Sequence, residues 1–296
     1  DPNNATEFAS KKQISRWLPV DLYVGGTEHT VLHLLYARFF TKVLQKFGYI
    51  DFAEPFLKLR HQGIILAEDG RKMSKSLGNV INPDSVVAKY GADTMRMYEL
   101  FLGPLEDMKP WNTQNIAGVK RFLDKVWMFF ESRKEGKETE ALERIIHQTI
   151  QKVGKDIESF RFNTAISALM ICLNEMRSLQ ETGIQATRQQ AESYLKLLAP
   201  LAPHLAEELW SIIGIKASIH EQEWPLFDSA KAQAESVRLG VQVNGKVRDA
   251  IEVAPAISEE EAKRLALDNK KIQGWLGGKT PKRVVVVPGR LVNIVT

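Results

Sequence analysis

Two lysines and two serines occupy four of five consecutive positions, Lys72-Met73-Ser74-Lys75-Ser76, between Glu68-Asp69-Gly70-Arg71 and Leu77-Gly78-Asn79. Flanking glycines make such a segment mobile, and most polar clusters of this kind are only solvated loops. The residue types nevertheless suit a triphosphate. Ammonium groups on flexible stems can swing onto β- and γ-phosphates while hydroxyls donate beside them. Charge moving onto a departing pyrophosphate would then be stabilised without any covalent role for the protein. A loop that closes only on the reacting complex favours the transition state over the bound nucleotide.

A second candidate group, Gly25-Gly26-Thr27-Glu28-His29 with His33, precedes this loop. His29 and His33 stand four apart, a spacing that can bind zinc on one helix face. Their glutamate comes before the first histidine, and no third ligand is apparent, so no metal is expected. The single cysteine, Cys172, lies in the apolar run Leu169-Met170-Ile171-Cys172-Leu173. It reads as a small buried hydrophobe in a reducing compartment.

The elements that must position these groups follow from periodicity. Residues 20–24 read as a strand, Gly25-Gly26-Thr27 as the turn after it, and residues 28–46 as a helix. That helix has Val31, Leu34, Leu35, Phe39 and Val43 at helical spacing and Gly48 past its end. Residues 57–66 read as another strand, followed by a polar loop over 67–79. Asn82-Pro83-Asp84 starts a helix with proline just inside it. Gly91 breaks that helix, and a second one follows from about 93 to 102. Such alternation is typical of α/β units.

Residues 110–215 carry long helical periodicities, near 113–132, 138–158, 163–182, 187–199 and 201–213. Five helices with short connections predict an antiparallel bundle. Residues 216–236 look like a linker. In the remainder, Asn244-Gly245 between two apolar runs is a strong hairpin signal, since both turn residues must take positive φ. Ser258 with Glu261 reads as a capping box opening a helix, closed by Gly277-Gly278. A second hairpin is expected around Pro288-Gly289.

Composition limits the functions available. The chain has 296 residues, 44% hydrophobic and 26% charged, with a net charge of +4. That length suits two or three domains. No apolar stretch approaches membrane-spanning length. The start, Asp1-Pro2-Asn3-Asn4, does not resemble a signal peptide; without methionine, it leads us to expect that a longer polypeptide was cut here. Residues 229–296 hold 12 Lys/Arg against 7 Asp/Glu, a balance of +5, leaving 28 against 29 in residues 1–228. The positive excess therefore belongs to the last segment, where a polyanion or a merely solvated basic face are equal readings.

Several motifs together carry a resemblance. Lys72-Met73-Ser74-Lys75-Ser76 matches the second signature of class I aminoacyl-tRNA synthetases, a pentapeptide expected by chance on the order of once in ten thousand chains this long. The run Leu18-Pro19-Val20-Asp21-Leu22-Tyr23-Val24-Gly25-Gly26-Thr27-Glu28-His29, continuing through His33-Leu34-Leu35-Tyr36-Ala37-Arg38-Phe39, resembles leucyl-tRNA synthetases of the bacterial type. Phe162-Asn163-Thr164-Ala165-Ile166 and the run from Leu198 to Trp210 resemble the helical anticodon-binding domain of the leucyl, isoleucyl and valyl group. Val241-Gln242-Val243-Asn244-Gly245-Lys246-Val247-Arg248 and the run from Val285 to Val295 resemble the small C-terminal domain of bacterial leucyl enzymes. The likeness covers the chain from about residue 16 onward.

The resemblance implies a multidomain α/β plus all-α protein. Residues 1–109 would be the C-terminal half of a Rossmann-like catalytic domain, 110–228 a helical bundle binding the anticodon, and 229–296 a small α+β domain contacting tRNA. It implies ATP with Mg2+, leucine and tRNA(Leu) as ligands, and a cytoplasmic setting. Lys75 would be the principal ATP contact, and Lys72 would assist it in catalysis. Met73, Ser74 and Ser76 would complete the loop, Gly26 would admit the nucleotide to the backbone, and Glu28 would address the ribose. His29 and His33 would border the leucyl-adenylate, while His204 would be structural. Clustered charge singles out Lys279, Lys282, Arg283 and Arg290 for tRNA.

The departures from the family matter as much. No His-Ile-Gly-His signature, editing domain or Cys-rich module appears in the sequence. The strands present are therefore expected to be half of a split sheet, with an edge that the N-terminal half would cover, and the chain alone is expected to be inactive. A valyl or isoleucyl relative, or a non-catalytic tRNA-binding module, remain as alternative readings.

Overall fold

Strand and helix alternate over the first hundred residues, but each strand is shorter than the sequence pattern predicts. The computed structural model describes residues 1–233, 237–254 and 257–296. They form two units, Asp1–Lys137 with Thr149–Pro225, and Glu138–Gln148 with Leu226–Thr296.

In the first unit, helix α1 (Lys11–Trp17) is capped by the Ser10 side chain. Strand β1 spans Tyr23–Gly26. The strand expected over 20–24 is thus displaced: Val20 makes only an isolated bridge to Phe56, and Gly25 and Gly26 belong to the strand instead of a turn. The helix expected from Glu28 starts later too. Thr27–Val31 is a 3-10 turn, and Leu32, at φ −113° and ψ −103°, breaks the path before α2 (His33–Lys46). Within α2 only Leu34 and Thr41 are buried. Leu35, Tyr36, Phe39 and Phe40 are 58–62% exposed, so most of the apolar face read from the sequence is bare.

The strand expected over 57–66 is two strands, β2 (Leu59–Gln62) and β3 (Ile65–Leu66). Gly63 explains the break. Its amide donates to Leu105 O, and a Cβ there would sit 1.9 Å from the Asp107 carbonyl oxygen, so only glycine fits. β1 and β2 pair in parallel, and β3 pairs in parallel with β4 (Lys109–Pro110). Between β3 and β4 run α3 (Pro83–Tyr90), capped by Asn82 with Pro83 in its first turn, and α4 (Ala92–Phe101).

The bundle helices are α5 (Thr113–Ser132), α6 (Glu140–Glu158), α7 (Phe162–Glu181), α8 (Arg188–Leu198) and α9 (Pro203–Ile212), close to the expected spans. α5 packs on α4, α7 and α9, and α8 packs on α7 and α9. Ile116, Val126, Leu169, Leu173, Tyr194 and Leu209 are among the fully buried side chains at their core. Cys172 is buried there as well, and desolvation pushes its thiol up to about 12, so it serves as packing. α8 opens with a reciprocal capping box between Thr187 and Gln190.

α9 has no cap of its own, because Ala202 offers no side-chain acceptor. Asp93, on α4, supplies one from elsewhere in the chain. Its carboxylate accepts from Leu205 N at 2.7 Å and His204 N at 3.4 Å, and lies 2.7 Å from His204 Nδ1. His204 thus sits at a helix start in a structural contact, as expected.

In the second unit, strands β5 (Val237–Val243), β6 (Lys246–Val253), β7 (Arg283–Val287) and β8 (Leu291–Val295) order as β6-β5-β8-β7. Asn244 (φ 49°) and Gly245 (φ 79°) make the expected turn. The parallel pairing of β5 with β8 joins the two hairpins into one sheet. Helices α11 (Glu259–Asp268) and α12 (Lys270–Leu276) close its core of Leu239, Val241, Val292, Ile294, Ala266 and Ile272. The capping box expected at α11 is only half formed. Ser258 Oγ accepts from Glu261 N at 3.2 Å, while the Glu261 carboxylate turns to Arg264. The linker expected over 216–236 contains a 3-10 turn, Ile219–Glu221, and a short helix, α10 (Ser229–Ala232); residues 234–236 lie outside the described residues.

Replacing Asp93 with alanine would leave the start of α9 without its acceptor. Asp93→Ala is expected to cost about 2 kcal/mol, with Asp93→Asn costing less, read as a lowered urea midpoint by helical circular dichroism.

Candidate active site

The loop over 67–79 is built on a tight hairpin. Ala67 N donates to Arg71 O at 2.8 Å, and Gly70, at φ 76°, makes the turn. Glu68 ties its base to the bundle by accepting from Thr113 N at 3.0 Å and Thr113 Oγ1 at 2.6 Å. Both bonds hold the Glu68 carboxyl below its ordinary range. Beyond the hairpin, Lys75–Leu77 forms a single 3-10 turn ended by Gly78 in the left-handed region (φ 64°).

Asn79 clasps this loop. Its Oδ1 accepts from Ser74 N at 2.8 Å and its Nδ2 donates to Lys72 O at 3.3 Å. Ser74 Oγ and Ser76 Oγ share a hydrogen bond at 2.7 Å, which holds the two hydroxyls side by side. Met73 is half-buried, and Lys75 is exposed with no carboxylate partner among the described residues. Asn79 was not singled out by sequence reasoning, although an asparagine just past a glycine is a usual signal for a side chain bonding nearby backbone.

The structure brings the two candidate groups together. Lys72 Nζ lies 3.2 Å from Glu28 Oε1, across 44 residues of sequence. Glu28 sits in the 3-10 turn after β1, and its carboxyl is held below its ordinary range by its own backbone amide and then by Lys72. Both side chains are largely exposed, so this pair is easily exchanged for another partner. Gly26 lies beneath: a Cβ there would come within 2.6 Å of Glu28 Oε2. Gly26 and Glu28 border a cavity of about 440 Å³ that also touches Gly63, Glu99, Lys109 and Phe162. A larger hollow of about 800 Å³ is lined mainly by apolar side chains such as Phe8, Ile14, Trp17 and Leu44, and offers little to a phosphate.

The histidines are placed differently from one another. His33 Nδ1 is 2.9 Å from Tyr23 Oη, and its ring stacks on Tyr23, which in turn packs on Phe56. His29 is exposed on the preceding turn. Because Leu32 breaks the helix between them, they do not share one continuous helical face. Among the described residues no group of three or more His, Cys, Asp or Glu side chains is placed to hold a metal ion.

The four cations singled out near the end are all exposed, but they do not form one cluster. Arg283 begins β7 and Lys282 N bonds Val295 O, whereas Arg290 lies in the turn at the opposite end of that strand. Lys279 follows α12.

Comparison with known proteins bears on this arrangement. Residues 3–109 match the class I tRNA synthetases of the I, L, M and V group, and residues 140–263 match the anticodon-binding domain of tRNA ligases. The chain belongs to the class I tRNA synthetases. A LeuRS of Agrobacterium radiobacter, solved in a ternary complex with tRNA and LeuAMS, is 35% identical with a TM-score of 0.76. The match covers 94% of this chain and 37% of that one, so the chain spans little more than a third of the length of that LeuRS. No helix among the described residues is long and apolar enough to cross a membrane.

Removing the clasp should loosen the loop without touching its lysines. Asn79→Ala is expected to speed trypsin cleavage after Lys72 and Lys75 several-fold, followed by mass spectrometry of early fragments; unchanged cleavage would mean that Asn79 does not hold the loop.

Proposed function

We propose that this chain is the loop-bearing part of a leucine–tRNA ligase, which activates leucine with ATP and transfers it to tRNA(Leu). The observation that carries this reading is the approach of Lys72 to Glu28 beside Gly26. A nucleotide with its ribose at Glu28 would have its phosphate tail in reach of Lys72, Lys75 and the paired serine hydroxyls.

In this reading the leucine carboxylate attacks the α-phosphorus, and the bond to pyrophosphate breaks. The negative charge gathers on the departing oxygens, where Lys75 and Lys72 stabilise it as Ser74 and Ser76 donate hydrogen bonds. Met73, half-buried, anchors the loop. Mg2+ would arrive with the nucleotide and offset charge on its phosphates. His29 and His33 border the adenylate, with His33 oriented by Tyr23.

The domain reading is part of the same proposal. Residues 1–109 are the second half of the nucleotide-binding domain, for which the parallel pairs β1–β2 and β3–β4 speak. Residues 110–228 are the anticodon-binding bundle and 229–296 the tRNA-contacting unit, with Lys279, Lys282, Arg283 and Arg290 as exposed cations for the phosphate backbone. Leucine over valine or isoleucine rests on the LeuRS match at 35% identity. The bare apolar face of α2 supports a partner half that completes the active site, and a cytoplasmic setting is part of the same reading.

Two outcomes test the proposal. The chain alone is expected to show no leucine-dependent ATP–pyrophosphate exchange, and exchange should appear when the N-terminal half is supplied. In that reassembled enzyme, Lys72→Ala with Lys75→Ala is expected to lower exchange by at least about a hundredfold. Undiminished exchange would reject the assignment, and preferential binding of tRNA(Val) over tRNA(Leu) would move it to a valyl enzyme.

A further inference from the structure

The sheet of the second unit contains one irregularity. From the turn, Lys246 pairs with Val243 and Val247 with Gln242, but Val241 pairs with Asp249. Arg248 is the extra residue, a bulge on β6, which is an edge strand of the sheet. Bulges re-aim side chains, and neighbours that would alternate across a pleat can then reach the same side.

That is what occurs here. Asp249 reaches α12 and its cap, accepting from Asn269 Nδ2 at 2.9 Å and Lys271 Nζ at 3.3 Å. Arg248 reaches α12 as well, where its guanidinium lies 3.7 Å from the centre of the Trp275 ring. Asp249 is thus committed to Asn269 and Lys271, and Arg248 has no carboxylate partner among the described residues. Its Nε is buried without a hydrogen-bond acceptor. Trp275 remains 55% exposed, a large apolar surface left in water.

A planar cation stacked on an indole, unpaired and half in solvent, has the chemistry of a nucleobase platform. Bases stack on aromatic rings and on guanidinium planes, and a free guanidinium edge can also meet a phosphate. An acidic peptide would use the charge but not the ring face. Lys246, exposed on the same strand as Arg248, adds to the attraction for a polyanion.

We infer that Arg248 and Trp275, brought together by the bulge in β6, form an RNA-contact site that stacks an unpaired base and holds its neighbouring phosphate. This rests on the proposed tRNA partner and gives it a place that the charge pattern alone did not mark.

The test uses the full chain with a tRNA(Leu) transcript, and in parallel a single-stranded RNA of about ten nucleotides, at several salt concentrations. Trp275→Ala should weaken both at least about tenfold while leaving the salt slope unchanged, and Trp275→Phe should restore affinity to within about threefold. Arg248→Gln should weaken binding and reduce the salt slope by about one phosphate contact. Circular dichroism of each variant confirms that the sheet is intact; should Trp275→Ala not fold, Trp275→Phe and Arg248→Gln carry the test. Tight RNA binding unchanged by Arg248→Gln and Trp275→Ala would overturn the inference alone. Competition by polyglutamate as effective as by RNA would overturn it too, as simple charge attraction. No RNA binding by the unaltered chain, even at low salt, would overturn both this site and the tRNA partner.

Discussion

The two hydrogen-bonded steps that join β3 to β4 fix the place of the lysine-bearing loop. Ile65 and Leu66 pair with Lys109 and Pro110, and Trp111 N reaches back to Leu66 O. Trp111 is buried against Tyr98 at an edge-on 81°, and Tyr98 Oη bonds both the amide and the carbonyl of Asn112. The first turn of α5 is thereby locked to the strand from which the loop departs, and Glu68 adds a tie at the same point. A loop carrying two cations can move usefully only if its base does not. Burial of the Tyr98–Trp111 pair supplies that fixed base, whereas the loop itself stays exposed.

The same region shows where local signals suffice. Asn82 and Ser258 cap their helices through an amide two or three residues on, as the short strings around them indicated; Asn112 and Thr187 cap theirs in the same way, though neither was singled out. The Asn244-Gly245 turn was readable for the same reason, as were the bundle helices with their apolar spacing. The lysine loop was legible because its composition is peculiar within five positions.

What escaped the sequence depends on distant partners. The break at Gly63 is imposed by the carbonyl of Asp107, and the cap of α9 comes from Asp93, over a hundred residues away. The later start of α2 comes from a single twisted residue, Leu32, which no pattern marks. Lys72 and Glu28 were each identified, but nothing local said that they would meet. Among the four late cations, Lys282 and Arg283 stand at one end of β7 and Arg290 in the turn at the other, a separation that a run of sequence does not display.

The bulge in β6 also changes how that strand counts. Outward from the Asn244-Gly245 turn, Lys246 faces the inward-pointing Val243; beyond Arg248, the residues level with Leu239 and Val241 are Ile251 and Asp249. The strand therefore switches from even to odd parity midway. Excising a single residue there would restore an unbroken pleat while abolishing the switch, so the length of this hairpin is set by where its two phases must join.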